Sequence, residues 1–257
     1  MVTVEHNGKS YEIPGVLDEL TPDQYKSYLF LAVMLRRGVL DETGFRAKLL
    51  AELMGLGVDI TDFKPDVAEG LIAQLGVLDG FLDDKGPITA TGRNLLPEFA
   101  GWKSRVGDML NGLAFGDFVE GLTLLGRLDD DEESQQAVLN ELARLLYSPP
   151  EGQSGADVPA LVAVHSVTFF TSVFNMIRKE PIGISGEQIN FSIIFKPVPG
   201  MPSKADDHTG WHGIAMEVAS SGVFGTLKEV NSTPLWDVLL YLYLYRAKFD
   251  LLHEKRK

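Results

Sequence analysis

The chain has 257 residues, 45% of them hydrophobic, with a formal net charge of −13 and no cysteine. That length and apolar content exclude a disordered chain and supply enough residues for one large core or two small ones. The charge argues against direct binding of DNA or RNA and against anionic membrane surfaces, and the absence of cysteine removes disulfides, thiolate zinc sites and cysteine nucleophiles.

In chain order, the start Met1-Val2-Thr3-Val4-Glu5 lacks a basic segment followed by an apolar run, so no signal peptide is expected. Asn7-Gly8 is the strongest two-residue turn signal and predicts a β-hairpin over 1–14, with Val4 opposite Tyr11 and Val2 opposite Ile13. Thr21, Pro22 and Gln24 form a full helix start: an N-cap, a proline at the first helical position and a capping box. Tyr25, Tyr28, Leu29, Ala32 and Leu35 make one stripe, Leu20 and Tyr25 can staple the entry, and Gly38 ends the helix. Asp41 caps a second helix bearing Phe45, Leu49 and Leu53, which Gly55 stops. The short Gly38-Val39-Leu40 link makes the pair an antiparallel helical hairpin.

Pro65 opens a predicted third helix with Val67, Leu71, Leu75 and Leu78 on one side, and Asp83 to Pro87 reads as a turn. From there to Gly112 the pattern is weak and rich in glycine. Phe115, Phe118, Leu122 and Leu125 restore helical spacing, and the acidic run Asp129–Glu133 starts the next helix, where the dipole favours acids. Val138, Leu139, Leu142, Leu145 and Leu146 are its expected buried face. Ser148-Pro149-Pro150 and the small polar residues after it read as a linker. Leu161–Ile177 is apolar but interrupted by His165, Ser166, Thr168, Thr171, Ser172 and Asn175, which favours a buried helix over a membrane span. Ile189, Phe191, Ile193 and Phe195 alternate with period two and predict a short strand over 188–195. A proline-rich loop follows over 196–210, and two helices, roughly Trp211–Ser221 and Leu235–His253, close the chain.

Candidate sites are few. Asp206, Asp207, His208 and His212 have metal-like spacing, but Gly210 interrupts them, and an acidic or hydroxyl residue there more simply caps the Trp211 helix. His165 reads as a satisfied core histidine, because no serine or aspartate partner follows from a motif. The acidic run lacks the alternating ligands and turn glycine of a calcium loop. No phosphate loop, His-Glu-x-x-His, Gly-x-Ser-x-Gly or dinucleotide fingerprint occurs, so the chain is read as not an enzyme, with no catalytic, cofactor or metal residues. The last helix is apolar or aromatic nearly all round from Leu235 to Tyr245. Such a helix is buried on every side, or buried on one side and docked to a partner on the other. Trp236, Tyr241 and Tyr245 are the candidate partner interface, since these residue types suit surfaces with one dry and one wet end.

Three stretches resemble a family of tail-morphogenesis proteins from tailed phages and prophages of Bacteroidetes-type bacteria. The first is Leu20-Thr21-Pro22-Asp23-Gln24-Tyr25, continuing through Gly38 and Phe45-Arg46-Ala47-Lys48-Leu49-Leu50 to Gly55-Leu56. The second is Leu113-Ala114-Phe115-Gly116-Asp117-Phe118 with Leu142-Ala143-Arg144-Leu145-Leu146-Tyr147-Ser148-Pro149, and the third is Gly222–Gly225 with Leu235–Tyr245. The resemblance implies a tail assembly chaperone, a helical acidic protein that coats an apolar tape-measure protein until the tail tube polymerises around it. It carries no active-site residues over to this chain.

The expected fold is mainly α and bundle-like, with a small N-terminal β-hairpin and one further short strand. Its expected organisation is a hairpin (1–14), an N-terminal helical subdomain (15–148), a linker (149–158) and a C-terminal helical subdomain (159–257). The expected function is non-enzymatic protein binding in phage tail assembly, in the host cytoplasm, with a tape-measure or tail-tube protein as partner and self-association open. Nucleic acid, membrane and cofactor have no expected part. The alternative is a structural virion component at the tail end, neck or baseplate.

Overall fold

The computed structural model describes residues 1–6, 8–57, 73–83, 86–88, 91–127, 132–196 and 210–254. The described chain is mainly α-helical, with short antiparallel strand pairs. Strands β1 (Val2–His6) and β2 (Lys9–Ile13) pair with Val2 opposite Ile13 and Val4 opposite Tyr11, the expected register. Val4 and Ile13 are fully buried, so this pair turns its apolar face to the core, as a lone strand pair in water must to persist. Asn7 lies outside the described residues.

Helix α1 (Pro22–Arg36) begins at the capping box: Thr21 Oγ1 accepts from Gln24 N–H and Thr21 N–H donates to Gln24 Oε1. It buries Tyr25, Tyr28, Leu29, Leu31 and Ala32, and ends at Gly38, whose φ of 68° is the left-handed value a helix stop requires. Helix α2 (Glu42–Leu53) packs against α1 and is capped by Asp41, which accepts from Gly44 N–H at 2.7 Å. The predicted third helix differs from the structure in its described part. Its start at Pro65 lies outside the described residues, and Leu75–Phe81 is a 3₁₀ helix. Leu75, Leu78 and Phe81 recur every three residues and are all buried, a spacing that a helix of three residues per turn places on one face. The expected turn after it is bracketed by β3 (Leu82–Asp83) and β4 (Gly86–Pro87), paired with Asp83 opposite Gly86.

The stretch with the weakest sequence signal holds a small sheet. Strands β5 (Glu98–Phe99), β6 (Trp102–Ser104) and β7 (Tyr147–Ser148) lie in that order, turned by Ala100 and Gly101 at positive φ. Helices α3 (Phe115–Gly126) and α4 (Glu132–Leu146) flank residues 128–131, so most of the acidic run lies outside the described residues. Val138, Leu142 and Leu146 are buried and Leu139 and Leu145 half-buried, the face expected for α4. The Arg144 guanidinium donates to the carbonyls of Ser154 and Ala156, tying the proline-rich link back onto α4.

Helix α5 (Ala160–Lys179) runs through the core with nine buried residues and packs on α4 and α1. It is the one described helix long and apolar enough to cross a membrane by length and composition. After it come β8 (Ile182–Ile184) and β9 (Glu187–Ile189), and then a 3₁₀ helix over Phe191–Phe195. The expected strand over 188–195 is therefore corrected: only its first residues are extended. Asn190 accepts from Ser192 N–H and starts the 3₁₀ turn, a local bond that competes with a sheet ladder. Helix α6 (Gly210–Ser220), a short α7 (Leu227–Ser232) and the long α8 (Leu235–Glu254) close the fold. Buried residues from Val4 to Leu239 form one contiguous cluster, drawn from both sides of the proline-rich link.

Candidate partner groove

A groove of about 390 Å³ opens between α6 and α8, with the 3₁₀ helix of 191–195 at its base. Its walls follow from helical spacing. Trp211, Ile214, Glu217 and Val218 are one stripe of α6, and Tyr241, Leu242, Tyr245, Arg246 and Phe249 are one stripe of α8. Ile194 and Lys196 complete it. Helix α6 is held from behind: the Trp211 ring meets Phe115, Phe118 and Phe195 at centroid distances of 6.3, 5.8 and 5.6 Å, and Ala215 and Val218 are buried.

Helix α8 is seated most deeply by its first half. Leu235, Val238 and Leu239 are buried, while Leu244, Tyr245 and Leu251 stand out from the surface. The Arg246 guanidinium grips Asp250 through Nε, at 3.0 and 3.1 Å, and donates from Nη1 to the Lys196 carbonyl at 2.9 Å. That clamp joins α8 to the end of the 3₁₀ helix.

The three candidate interface residues separate. Tyr241 and Tyr245 both line the groove, stacked at 6.2 Å, with Tyr241 backed edge-on by Phe224 at 5.6 Å. Tyr245 is 56% exposed. Trp236 belongs to the seat of α8 instead: it is half-buried, its indole N–H donates to the Met109 carbonyl at 3.0 Å, and its ring meets Phe191 at 5.8 Å. Among the groove residues that the candidate interface did not include are Trp211, Ile214 and Phe249. Their i, i+3 and i+4 spacing along their own helices was visible, but which helix faced which was not.

Asp206, Asp207 and His208 lie outside the described residues, and His212 stands exposed on α6. Among the described residues no group of three or more potential ligands comes together. The hydroxyls of Ser220 and Ser221, at the groove's edge, donate to the Met216 and Val218 carbonyls of their own helix. What the groove presents is apolar and aromatic area with a few charges at its sides.

His165 is the hub of a separate, buried arrangement. Its Nδ1 lies 2.9 Å from the Tyr25 hydroxyl and its Nε2 3.2 Å from Asn94 Oδ1. Asn94 directs both amide hydrogens to Ser104 Oγ and the Val106 carbonyl, so its oxygen faces the imidazole and must accept. Nε2 therefore carries the proton, and Tyr25 donates to Nδ1. The ring stacks on Phe169 at 5.4 Å and meets Tyr147 edge-on at 6.2 Å. Burial pushes the imidazole pKa down to about 3. The position expected as a satisfied core histidine is one.

Comparison with protein-family models, with curated proteins and with solved structures finds no match for this chain.

Proposed function

We propose that this chain is a protein-binding factor of phage-type tail assembly that shields apolar helices of a partner in the α6–α8 groove. The observation that carries the binding part is the groove itself: an open cleft between two helices, lined by Trp211, Ile214, Tyr241, Leu242, Tyr245 and Phe249. Helix-in-groove recognition uses such a surface, with the incoming helix placing apolar residues at one-turn intervals.

The assignment to tail assembly rests on the resemblance of the three stretches described above, two of which contribute to this part of the molecule through Phe115, Phe118 and Leu235–Tyr245. In this reading the partner is a tape-measure or tail-tube protein, and the site of action is the cytoplasm of the bacterial host. The net charge of −13 suits a protein that must stay soluble while holding an apolar partner.

Co-purification tests the proposal. Tagged protein expressed in its host brings down the tape-measure or tail-tube protein, and mature particles lack the chain. Finding the chain inside finished particles would instead make it a structural tail component. Recovery of neither tail protein would remove the assembly role.

A further inference from the structure

The groove has charges as well as apolar walls, and they are arranged by side. On the α6 wall, Glu217 is exposed and carries the wall's only acidic group among the lining residues. Toward α8 stand Arg246, which is neutralised by Asp250, and Lys196 at the end of the 3₁₀ helix, whose carbonyl accepts from Arg246. Among the described lining residues the α6 wall is therefore net negative and the side toward α8 net positive. The lining runs from Tyr241 to Phe249 on α8 and from Trp211 to Val218 on α6, each a little over two turns, or about 12 Å at the helical rise of ~1.5 Å per residue. Helices make both walls, so an extended strand finds no unpaired sheet edge here to join.

We propose that the groove takes an amphipathic helix of two to three turns from a partner protein, with its apolar stripe flanked by a basic residue on one side and an acidic residue on the other. The basic flank meets Glu217 and the acidic flank meets Lys196. Reversing such a helix end for end exchanges its flanks, so the charges select the direction in which it lies, while Tyr241, Tyr245 and Phe249 supply the apolar contact. The same division of labour operates where charged flanks of a paired helix choose orientation and apolar positions hold it. This inference rests on the helix-in-groove reading of the site and deepens it by naming the occupant's chemistry.

The test uses the full chain and three short fluorescent peptides, stapled so that each is helical as a monomer. All share a leucine stripe. One has lysine on one flank and glutamate on the other, one has lysine on both, and one has glutamate on both. The mixed peptide is expected to bind about threefold more tightly than either of the others, the scale of an exposed ion pair. In Glu217→Lys both walls become basic, and the glutamate-flanked peptide should then bind most tightly. Tyr245→Ala should weaken every peptide about tenfold or more, the scale of a lost aromatic anchor.

Equal binding of all three peptides, or no change of preference in Glu217→Lys, overturns the charge-paired occupant and leaves the helix-binding groove intact. Absence of binding by any peptide to the folded protein overturns both. A concentration-dependent dimer that Tyr245→Glu abolishes means that a second copy of this chain fills the groove, and also overturns the proposal.

Discussion

The Tyr25 hydroxyl donates to Nδ1 of His165 at 2.9 Å, joining residues 140 positions apart at the contact of α1 with α5. Among the described residues neither has a charged neighbour to compensate a buried imidazolium, so the native state holds His165 neutral. The imidazole pKa is about 3 in the folded chain against 6.5 when exposed. The unfolded chain therefore binds a proton that the folded chain refuses between those values, and stability falls as pH falls through that window. By this linkage alone the unfolding free energy should be about 2 kcal/mol lower at pH 5 than at pH 7. Urea unfolding across pH 5–7 checks it. His165→Gln is less stable at pH 7 but should show a flatter dependence, since it has no proton to gain. An equally steep dependence in the variant would place the titrating group elsewhere.

The two ends of the candidate interface should respond oppositely. Trp236→Phe removes the N–H that satisfies the Met109 carbonyl, and should cost about 1–2 kcal/mol of stability with peptide binding in the groove kept. Tyr245→Ala removes an exposed ring and should change stability by no more than ~0.5 kcal/mol while binding weakens about tenfold or more. Thermal melts paired with a binding titration separate the two. Loss of binding in Trp236→Phe at full stability would return that residue to the interface.

Gly121 lies where α3 crosses α5. A methyl group there would stand 2.6 Å from Phe170 Cζ and 3.2 Å from Leu142 Cδ1. Gly121→Ala gains helix propensity of ~1 kcal/mol, but overpacking of a full core costs more, so a net loss of about 1–2 kcal/mol is expected. A stabilised variant would show that Phe170 has room to move.

Thr21→Ala removes the side-chain acceptor of the α1 capping box and should cost about 1 kcal/mol. Thr21→Ser should restore most of it. Chemical denaturation of the two variants beside the parent chain measures the difference, and no loss in Thr21→Ala would mean that Pro22 and packing alone hold the helix start.

Which features were legible follows from the range of the forces that make them. Thr21, Pro22 and Gln24 bond within four residues of one another, so their cap was readable, as were the glycine stops at Gly38 and Gly55 and the strand register around Val4 and Tyr11. The strand expected at 188–195 was misread because Ile189, Phe191, Ile193 and Phe195 alternate, yet Asn190 turns the chain into a 3₁₀ helix whose half-buried faces meet α5 and α8. The sheet of Glu98–Phe99, Trp102–Ser104 and Tyr147–Ser148 left no trace, since its last strand comes from beyond two helices and each strand is too short to show a period.

The sequence by itself determined the mainly helical character of the chain, its helix starts and stops, and the aromatic richness of its last helix, because propensity, capping and apolar periodicity act over a few residues. Only the tertiary structure decided that His165 sits neutral between Tyr25 and Asn94, that Trp236 turns inward to Met109, and that Tyr241 and Tyr245 face α6 across an open groove. Those outcomes depend on which surfaces meet after the helices form, and an all-round apolar helix such as α8 carries no local mark of the side its neighbours will cover.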